Sequence, residues 1–592
     1  MRPHKEIAWP APIRGWVQSG KQLGAKPEQA DRLDNFFPTA QNAELRQGLA
    51  QFATVPASVA RLMVYRASTD DIFAATETAI YDVSGVADAE VAEDPVIRGL
   101  SDGDWSFAQM SSGGSDYIVA VNGADHALHY DGADWQPLHD ETIYDLPYDA
   151  LTADFEVGET ATGGTSGATA EIIAIMPSSA TAGTLKLGAI TGTFSDDEAV
   201  TSASGAAVAN IPSGTSEATT IAVSGVATTS LTQVWGFKRR LFFVESGTMK
   251  AWYLPVESVG GTASELNLAS VFQRSDRLLF GATWSLDAGD GLDDVCLFVS
   301  NTGEVAVYQG TDPSSASTWG LVGRYDIARP LDKHAHFRAG GDLMVMTEDG
   351  IVSVAEALRK DRAGLQATAM TRDIEDEWRR VVQRRSETWP INATLWRDKG
   401  LLLIGVPPED EISQAFVANS NTGAWARFTG WDVRCATEAR GNLYIGNNDG
   451  DVYQAYTGGS DDGVQYTGVW VPKAQGGKSA AWKVAVDLKL TALVSGTFTW
   501  GASAFGDYAL GAVSAPLPVD PAGDAVWNSG ITWDGDAAWD GSSRPAAGTE
   551  WQEVAAQGHA LAPAIAVTSN NAAAPVFNLL AVHLRFEEGS PL

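Results

Sequence analysis

The sequence has little cysteine, little basic charge and no long apolar run. Its two cysteines, Cys296 and Cys435, cannot build a disulfide framework or a CxxC metal site. No stretch approaches the roughly 18 consecutive apolar residues of a membrane-spanning helix, so no membrane span is predicted. Lysine and arginine number 40 against 74 aspartates and glutamates, a net charge of −34. This deficit of basic side chains argues against a protein that grips nucleic acid by its phosphates.

Glycine and tryptophan, by contrast, are frequent, with 60 and 20 residues. Glycine suits a chain with many tight turns, and tryptophan provides large buried surfaces that are also useful at interfaces. Hydrophobic residues make up 44% and charged residues 19% of the chain, a composition that favours folding over disorder. The length of 592 residues predicts three or four folding units.

One pattern recurs from about residue 60 onward: a short apolar or alternating run, a turn that contains glycine, and resumed alternation. Asn-Gly or Asp-Gly between alternating strands indicates a hairpin, because the turn needs positive φ at these positions. The turns lie at Gly123, Gly247, Gly303, Gly350, Gly423 and Gly450. The pattern predicts an all-β body.

The spacing of these turns indicates the architecture. Gly303 and Gly350 are 47 residues apart, close to the length of a four-stranded propeller blade. Gly123 and Gly247 are 124 residues apart, but 80 of these belong to a distinct segment at 151–230. The remaining spacings are irregular, and no WD or kelch signature is present. We predict an irregular β-propeller-like body, with a body of stacked sheets as the alternative.

The segment 151–230 differs in composition from its surroundings. Ala, Gly, Ser and Thr make up 51 of its 80 residues, and only Phe155 and Phe194 are aromatic. Apolar alternation at 170–175 and 184–187 predicts a small inserted β-module rather than a linker. The stretch 155–170 resembles a small β-module found repeatedly in phage virion proteins.

A single helix is predicted near 370–386, where Met370, Ile374, Trp378 and Val381 recur at helical spacing. After residue 458 the pattern changes to strands rich in valine and tryptophan. The predicted organisation is an extended N-terminal arm at 1–59, a propeller-like body at 60–150 and 231–458, the inserted β-module at 151–230, and a C-terminal β-domain at 459–592. The arm is expected to lie on another surface, such as a neighbouring subunit.

The N-terminal segment carries a family resemblance. The run Arg32-Leu33-Asp34-Asn35-Phe36-Phe37-Pro38-Thr39, then Leu45-Arg46-Gln47-Gly48, together with Pro12-Ile13-Arg14-Gly15-Trp16, resembles the opening of tail hub or nozzle proteins of short-tailed bacteriophages. This family is also described as packaged-DNA stabilisation or tail tubular B-like proteins. The candidate assembly contacts are the motif residues Leu33, Asp34, Asn35, Phe36, Phe37, Pro38, Arg46 and Gly48.

The resemblance implies a structural virion protein rather than an enzyme. Such proteins form rings, commonly hexamers, below the head-to-tail adaptor, where they extend the DNA-ejection channel and help to retain the packaged genome. Tail fibres or a needle are further implied partners, and the chain would be assembled in the host cytoplasm into the phage tail without a cofactor. The acidic charge balance is compatible with a channel wall that DNA passes without specific binding.

Motifs for catalysis or metal binding are weak. His334 and His336 share a face if they lie on a strand and could bind a metal with Asp332, but no third ligand is identifiable beyond them. The loops 287–294 and 447–451 lack calcium-loop spacing. We expect the remaining candidate histidines to be hydrogen-bonded or exposed: His126, His129 and His139.

Two other functions compete with a ring subunit. The first is a receptor- or glycan-binding tail protein, in which tryptophans stack on sugars: Trp527, Trp533, Trp539 and Trp551. The second is a glycan-degrading tail enzyme that would use acidic pairs such as Asp293/Asp294, Glu409–Glu411 or Asp461/Asp462. Sequence neighbours on a turn do not supply the two facing carboxylates that a glycosidase needs, which counts against this alternative.

Overall fold

The fold is nearly all β, with its blade sheets in a propeller-like arrangement, as the sequence predicts. The computed structural model describes residues 4–18, 25–67, 70–85, 94–211, 215–217, 221–287, 292–385, 391–477, 479–495, 498–513, 516, 546–570, 574 and 576–589. Five strands precede the first blade: β1 (Lys5–Pro10), β2 (Ala30–Asp34), β3 (Phe36–Pro38), β4 (Ala43–Leu45) and β5 (Leu49–Thr54).

Seven successive blade sheets can be followed through the described residues. Blade 1 contains β6 (Arg61–Tyr65), β7 (Asp71–Ala75), β8 (Ala79–Asp82) and β9 (Ile97–Arg98). Blade 2 contains β10 (Ser106–Ser112), β11 (Ser115–Val121), β12 (Leu128–Tyr130) and β13 (Trp135–Pro137). Blade 3 follows the insertion described below and contains β22 (Leu231–Phe237), β23 (Arg240–Glu245), β24 (Lys250–Tyr253) and β26 (Ser264–Asn267). Blade 4 contains β27 (Leu278–Asp287), β28 (Leu292–Ser300), β29 (Glu304–Gly310) and β30 (Trp319–Asp326), and blade 5 contains β31 (His336–Ala339), β32 (Asp342–Thr347) and β33 (Gly350–Ser353). Blade 6 contains β34 (Ala393–Trp396), β35 (Leu401–Glu409), β36 (Ile412–Asn419) and β37 (Trp425–Thr429). Blade 7 contains β38 (Cys435–Ala439), β39 (Asn442–Gly446) and β40 (Asp451–Ala455).

Apolar clusters fill the spaces between neighbouring blades and hold the ring together. Phe73 of blade 1 meets Trp135 of blade 2 with ring centroids 5.1 Å apart. Phe242 of blade 3 meets Phe298 of blade 4 at 6.4 Å. Burial of large apolar surfaces between sheets is the main stabilising contribution to such a fold.

The ring is closed by the N-terminal segment. Strand β5 pairs antiparallel with β40 and becomes the fourth strand of blade 7, with Leu49 opposite Ala455 and Thr54 opposite Asp451. Blade 7 then packs on blade 1 through a cluster that includes Cys435 and Val59. Closure therefore depends on strands about 400 residues apart in sequence.

Blade 5 has three strands in the structure, and helices follow them. They are α1 (Val354–Ala357), α2 (Arg362–Ala367), a 3₁₀ turn (Met370–Ile374) and α3 (Glu375–Arg384). The helix predicted near 370–386 corresponds to α3, which begins at Glu375, five residues after the predicted start, because residues 370–374 form the 3₁₀ turn. Trp378 is buried and donates its indole N–H to the Thr347 carbonyl at 2.9 Å, so α3 covers the blade as a cap. No helix in the described part of the chain has the length and apolar character needed to cross a membrane.

The insertion between blades 2 and 3 is a small closed barrel. Its strands pair in a cycle of six, and their bounds are β14 (Tyr144–Ala153), β15 (Thr160–Gly163), β16 (Thr169–Ser179), β17 (Ala182–Leu187), β18 (Ala199–Thr201) and β19 (Ala206–Ala209). Small side chains and a few large ones such as Phe155 and Phe194 fill it. The module begins at Tyr144 rather than at 151, and β16 joins it to β9 of blade 1. Three short strands complete the region: β20 (Ser216–Glu217), β21 (Val223–Ser224) and β25 (Gly261–Thr262).

The C-terminal region is not a separate domain. Its strands are β41 (Tyr466–Pro472), β42 (Trp482–Ser495), β43 (Thr499–Gly506), β44 (Ala546–Glu553), β45 (Gln557–Gly558), β46 (Leu561–Ser569) and β47 (Val576–Gly589). Strands β41, β46 and β43 continue the sheet of blade 6, and β2 is the bridge between β37 and β41. The facing sheet contains β42, β44 and β47 together with β1, β3 and β4.

The segment 1–59, predicted as an extended arm, lies against sheets of the same chain. Its described strands are built into this chain's own sheets, at β47, at β41 and at β40. Extended strands of this kind need partners for their backbone N–H and C=O groups, and here the same chain provides them. No described strand of the segment projects as a free arm toward another subunit.

Candidate functional site

The family-like motif forms a buried polar network around Arg46. This side chain is fully buried, and its guanidinium binds both carboxylate oxygens of Asp461 at 2.7 and 2.6 Å. Its remaining donors reach the side chain of Asn35 and the carbonyls of Gln47 and Thr429 at 2.9 to 3.1 Å. All five guanidinium N–H donors thus have an acceptor, which is the condition for burying a charge.

Aromatic rings enclose the same guanidinium. Its central carbon lies 4.1 Å from the ring centre of Tyr466 and 5.0 Å from that of Trp431. Burial raises the pKa of Tyr466 to about 12, so its hydroxyl stays protonated and donates to the Arg46 carbonyl. The network connects β4, blade 6 and the start of the C-terminal sheets.

Asn35 and Asp34 extend the network into blade 6. Asn35 has a φ of +58°, a conformation that asparagine tolerates better than most residues. Its side chain donates to Thr429 Oγ1 and to the Thr467 carbonyl, both at 2.8 Å. The Asp34 carboxylate receives the Arg427 guanidinium at 2.9 and 3.1 Å.

All eight residues predicted as assembly contacts are buried within the single chain. The set is Leu33, Asp34, Asn35, Phe36, Phe37, Pro38, Arg46 and Gly48. A Cβ at Gly48 would lie 1.8 Å from the Ser460 carbonyl oxygen, so the close approach of two backbones explains the glycine. The polar members of this set connect the N-terminal segment to blade 6 and to the C-terminal strands.

A central channel lies where the first strands of the seven blades meet. Its cavity volume is about 520 Å³, within the roughly 300–1,000 Å³ range of small-molecule sites. Every blade contributes, and the polar lining consists of Arg61, Ser106, Gln109, Gln233, Thr283, His334, His336, Arg338, Asn392 and Thr394. The lining contains two arginines and two histidines and no carboxylate, in a chain whose net charge is −34.

The polar groups of the channel differ in how well they are partnered. The amide of Gln233 bonds to the backbone of Gly281 in both directions, at 3.1 and 3.0 Å. Arg338 donates to the Thr283 carbonyl at 2.8 Å. Arg61, in contrast, donates no side-chain hydrogen bond and joins no ion pair within the described residues, and its buried Nε has no acceptor.

The predicted histidine pair does not form a metal site. His334 Nε2 lies 2.8 Å from Asp104, while Asp332 pairs with Arg385. Burial, and next the charge of His334, lower the pKa of His336 to about 3, and its ring stacks on Phe280 at 4.4 Å. Among the described residues no group of three or more His, Cys, Asp or Glu could hold a metal ion.

The other histidines and the calcium-like loops have structural surroundings. His126 and His139 are neighbours with ring centroids 4.8 Å apart, and burial, with the nearby His139, lowers the pKa of His126 to about 4. His129 is buried in blade 2. In the loop 447–451, Asn447 Oδ1 accepts the Asp449 and Asp451 backbone N–H groups, so the loop has the geometry of a turn. Residues 288–291 of the loop 287–294 lie outside the described residues.

An acidic groove lies between blades 6 and 7 and the C-terminal sheets. It has a volume of about 610 Å³, and its lining contains five aspartates and one arginine, namely Asp34, Asp432, Asp449, Asp461, Asp462 and Arg32. Asp34 and Asp461 are neutralised by the arginines described above, which leaves three carboxylates for the groove. Two apolar side chains at this groove, Ile412 and Val464, are strongly exposed, and the exposed fraction of Val464 is 67%.

A basic surface lies on the outer side of blades 4 and 5. Its cavity of about 550 Å³ is lined by five cations and two carboxylates: Arg274, Arg324, Arg359, Lys360, Arg362, Asp326 and Asp361. Four of these cations have a carboxylate within ion-pair distance, and Arg359 has none among the described residues. Strand β30, which supplies Arg324, is the outer strand of its sheet and exposes Leu321 and Val322, the latter at 54%. A sheet edge with exposed apolar side chains can associate with another protein surface.

The tryptophan stretch proposed for glycan binding lies largely outside the described residues. Trp527, Trp533 and Trp539 all belong to that part of the chain. Trp551 is partly exposed, but the Arg585 guanidinium stacks on its ring at 3.9 Å. That ring face is therefore already occupied within the chain.

Comparisons with known proteins return propeller folds. No protein-family model and no curated protein matches the chain. Among solved structures, it is similar to YCF48 bound to D1 peptide, at 10% identity and a TM-score of 0.25 over 69% of this chain and 96% of that one. YCF48 from Cyanidioschyzon merolae matches at 9% identity and a TM-score of 0.24, over 71% and 98%. The β-propeller domain of Cps50 (Swd1) from Myceliophteria thermophila matches at 8% and 0.25, over 70% and 99%. No functional argument follows from likenesses this distant.

Proposed function

We propose that the chain is a structural tail hub or nozzle subunit of a short-tailed bacteriophage, which associates with copies of itself into a ring that encloses the DNA-ejection passage. The observation that carries the proposal is the pairing of two unlike surfaces on one chain, the acidic groove and the basic surface. The lining of each has charges of one predominant sign, and exposed apolar side chains lie within the groove and beside the basic surface on β30.

Two unlike and complementary surfaces favour head-to-tail association. When one copy presents the basic surface to the acidic groove of the next, an open assembly keeps one free surface at each end until it closes. Opposite charges guide the encounter and the apolar side chains supply contact area. A symmetric dimer would instead bring like surfaces together, which the charges oppose.

The passage for DNA must lie between subunits. A DNA duplex is wider than its own major groove, which is about 12 Å across. A cylinder of only that diameter and one helical turn long, about 34 Å, already has a volume of about 3,800 Å³. The central channel of one propeller holds about 520 Å³, so a duplex cannot thread it. A ring of several copies supplies the wider opening that the function requires.

Native mass spectrometry and electron microscopy of the purified full chain test ring formation. We expect closed rings of one copy number for the parent chain. Val322→Glu should disable the basic surface and Val464→Glu the acidic groove, because each places a charge in a contact that must lose its water. Val256→Glu is the matched control, since Val256 is also exposed, at 48%, but lies on neither surface.

Mixing the two disabled variants makes the test specific. Each keeps the surface that the other has lost, so an equimolar mixture should form heterodimers through one intact interface, while each variant alone stays monomeric. A parent chain that remains monomeric, alone and beside the other tail proteins, would refute the proposal. So would rings that survive both substitutions. Mass spectrometry of purified phage particles tests the virion assignment separately, by whether this chain is present in several copies in the tail.

A further inference from the structure

We infer that the central channel is a binding site for a small molecule that carries a phosphate or carboxylate group, with the Arg61 guanidinium as its anchor. This inference does not depend on the proposed function, because the channel belongs to a single chain. It rests on the missing partner of Arg61 and on the charge of the lining.

Arg61 lies in an unusual position for an arginine. It begins the first strand of blade 1, at the point where the first strands of all blades converge. Elsewhere in the chain, arginines with buried donors have carboxylate partners, as Arg46 has Asp461 and Arg427 has Asp34. Burying part of a guanidinium without an acceptor costs free energy, which an anion in the channel would recover.

The rest of the lining favours an anion over a cation. Arg338 adds a second positive charge, and no aspartate or glutamate lines the cavity. Asp104 is near, but its carboxylate is already held by His334 at 2.8 Å and by Lys333 at 3.0 Å. The amide of Asn392 and the hydroxyl of Thr394 add neutral polar groups. A guanidinium fork beside neutral donors suits two oxygens of one phosphate or carboxylate.

The volume limits the ligand to a small molecule. About 520 Å³ accommodates a metabolite-sized anion, and the surrounding strands are the rigid inner edges of seven sheets. Such a site needs little rearrangement to bind, which lowers the entropic cost of association.

Isothermal titration calorimetry on the full chain tests the site, with inorganic phosphate and citrate as probes and chloride at matched ionic strength as the reference. We expect saturable binding of at least one probe with a dissociation constant of about 1 mM or tighter. Arg61→Met should weaken it about tenfold or more, the loss expected for a charge-assisted hydrogen-bonded pair. Arg329→Met is the matched control, because Arg329 is exposed and lies outside both the channel and the basic surface. Its affinity should equal that of the parent chain.

Two further measurements keep the inference open to refutation if Arg61→Met does not fold. Arg61→Lys retains the charge but loses the planar fork, so it should bind at reduced affinity. A structure of the parent chain soaked in selenate should place the anion within hydrogen-bond distance of Arg61. Absence of saturable binding, equal affinity in Arg61→Met, or selenate bound only outside the channel would overturn the inference.

Discussion

Replacement of Arg46 by methionine should be among the most destabilising single substitutions in the chain. The change keeps an unbranched apolar stem but removes five hydrogen bonds and leaves Asp461, whose side chain is only 15% exposed, without its cation. Removing one partner of a buried ion pair costs about 3–5 kcal/mol. Because Asp461 retains slight access to water and a 3.4 Å contact with the Trp431 indole N–H, we expect about 3 kcal/mol from this range.

Urea unfolding followed by tryptophan fluorescence and by circular dichroism measures this cost. Arg32→Met is the matched control: Arg32 is partly exposed, and its partner Asp34 keeps Arg427, so its loss should cost less than about 1 kcal/mol. The double variant Arg46→Met/Asp461→Leu should recover much of the loss, because it removes the stranded carboxylate. An Arg46→Met chain that unfolds within about 1 kcal/mol of the parent, at an unchanged denaturant slope, would refute the reasoning.

Three further predictions concern other parts of the molecule. Gly48→Ala should lower the thermal unfolding midpoint by an amount equivalent to about 1–3 kcal/mol, because its Cβ would lie 1.8 Å from a backbone oxygen. Gly236→Ala, which has open space around its Cβ, should cost less. Equal effects of the two substitutions in thermal unfolding would contradict the prediction. Cys296 and Cys435 should not react with a thiol reagent in the native chain at pH 8, because burial raises the pKa of both thiols, that of Cys435 to about 12. Both thiols should react in denaturant, and any thiol that reacts in the native chain would contradict this prediction. Burial lowers the pKa of His336 from 6.5 to about 3, so the unfolded chain binds a proton at a higher pH than the folded chain does. The free energy of unfolding should therefore fall as the pH drops from 6.5 toward 3. His336→Phe should show a smaller fall in urea midpoints over this range, and an equal fall would disprove the assignment.

The hairpin turns were the most predictable part of the fold. All six glycines named from the sequence have positive φ in the structure, from +68° to +135°. The irregular spacing between Gly350 and Gly450 has a local cause: the corresponding turn of blade 6 uses Asp410 and Glu411, which adopt positive φ of 49° and 66° without glycine. Asp and Glu give no turn signal as strong as glycine, so the blade was not visible in the spacing.

Long-range pairing was the part that the sequence could not provide. Strand β5 finds β40, and Arg46 finds Asp461, across more than 380 residues. The motif residues could be singled out by their resemblance, but nothing local to them indicates which distant groups complete their hydrogen bonds. The central channel could not be predicted for the same reason, because each of the seven blades supplies only one to five of its lining residues. A lone Arg61 at the start of a strand looks like any surface arginine until the other six inner strands are placed around it.

The charge distribution bears on the wall of the proposed ring. Association through the basic surface would cover five cations and two carboxylates, and association through the acidic groove would cover the three carboxylates that Arg46 and Arg427 do not neutralise. The excess of 74 acidic over 40 basic residues is therefore almost unchanged on the surfaces that remain. A ring lumen drawn from those surfaces should repel DNA phosphates, so that the duplex moves without adhering. A structure of the assembled ring checks this prediction, and a lumen lined mainly by lysine and arginine would overturn it.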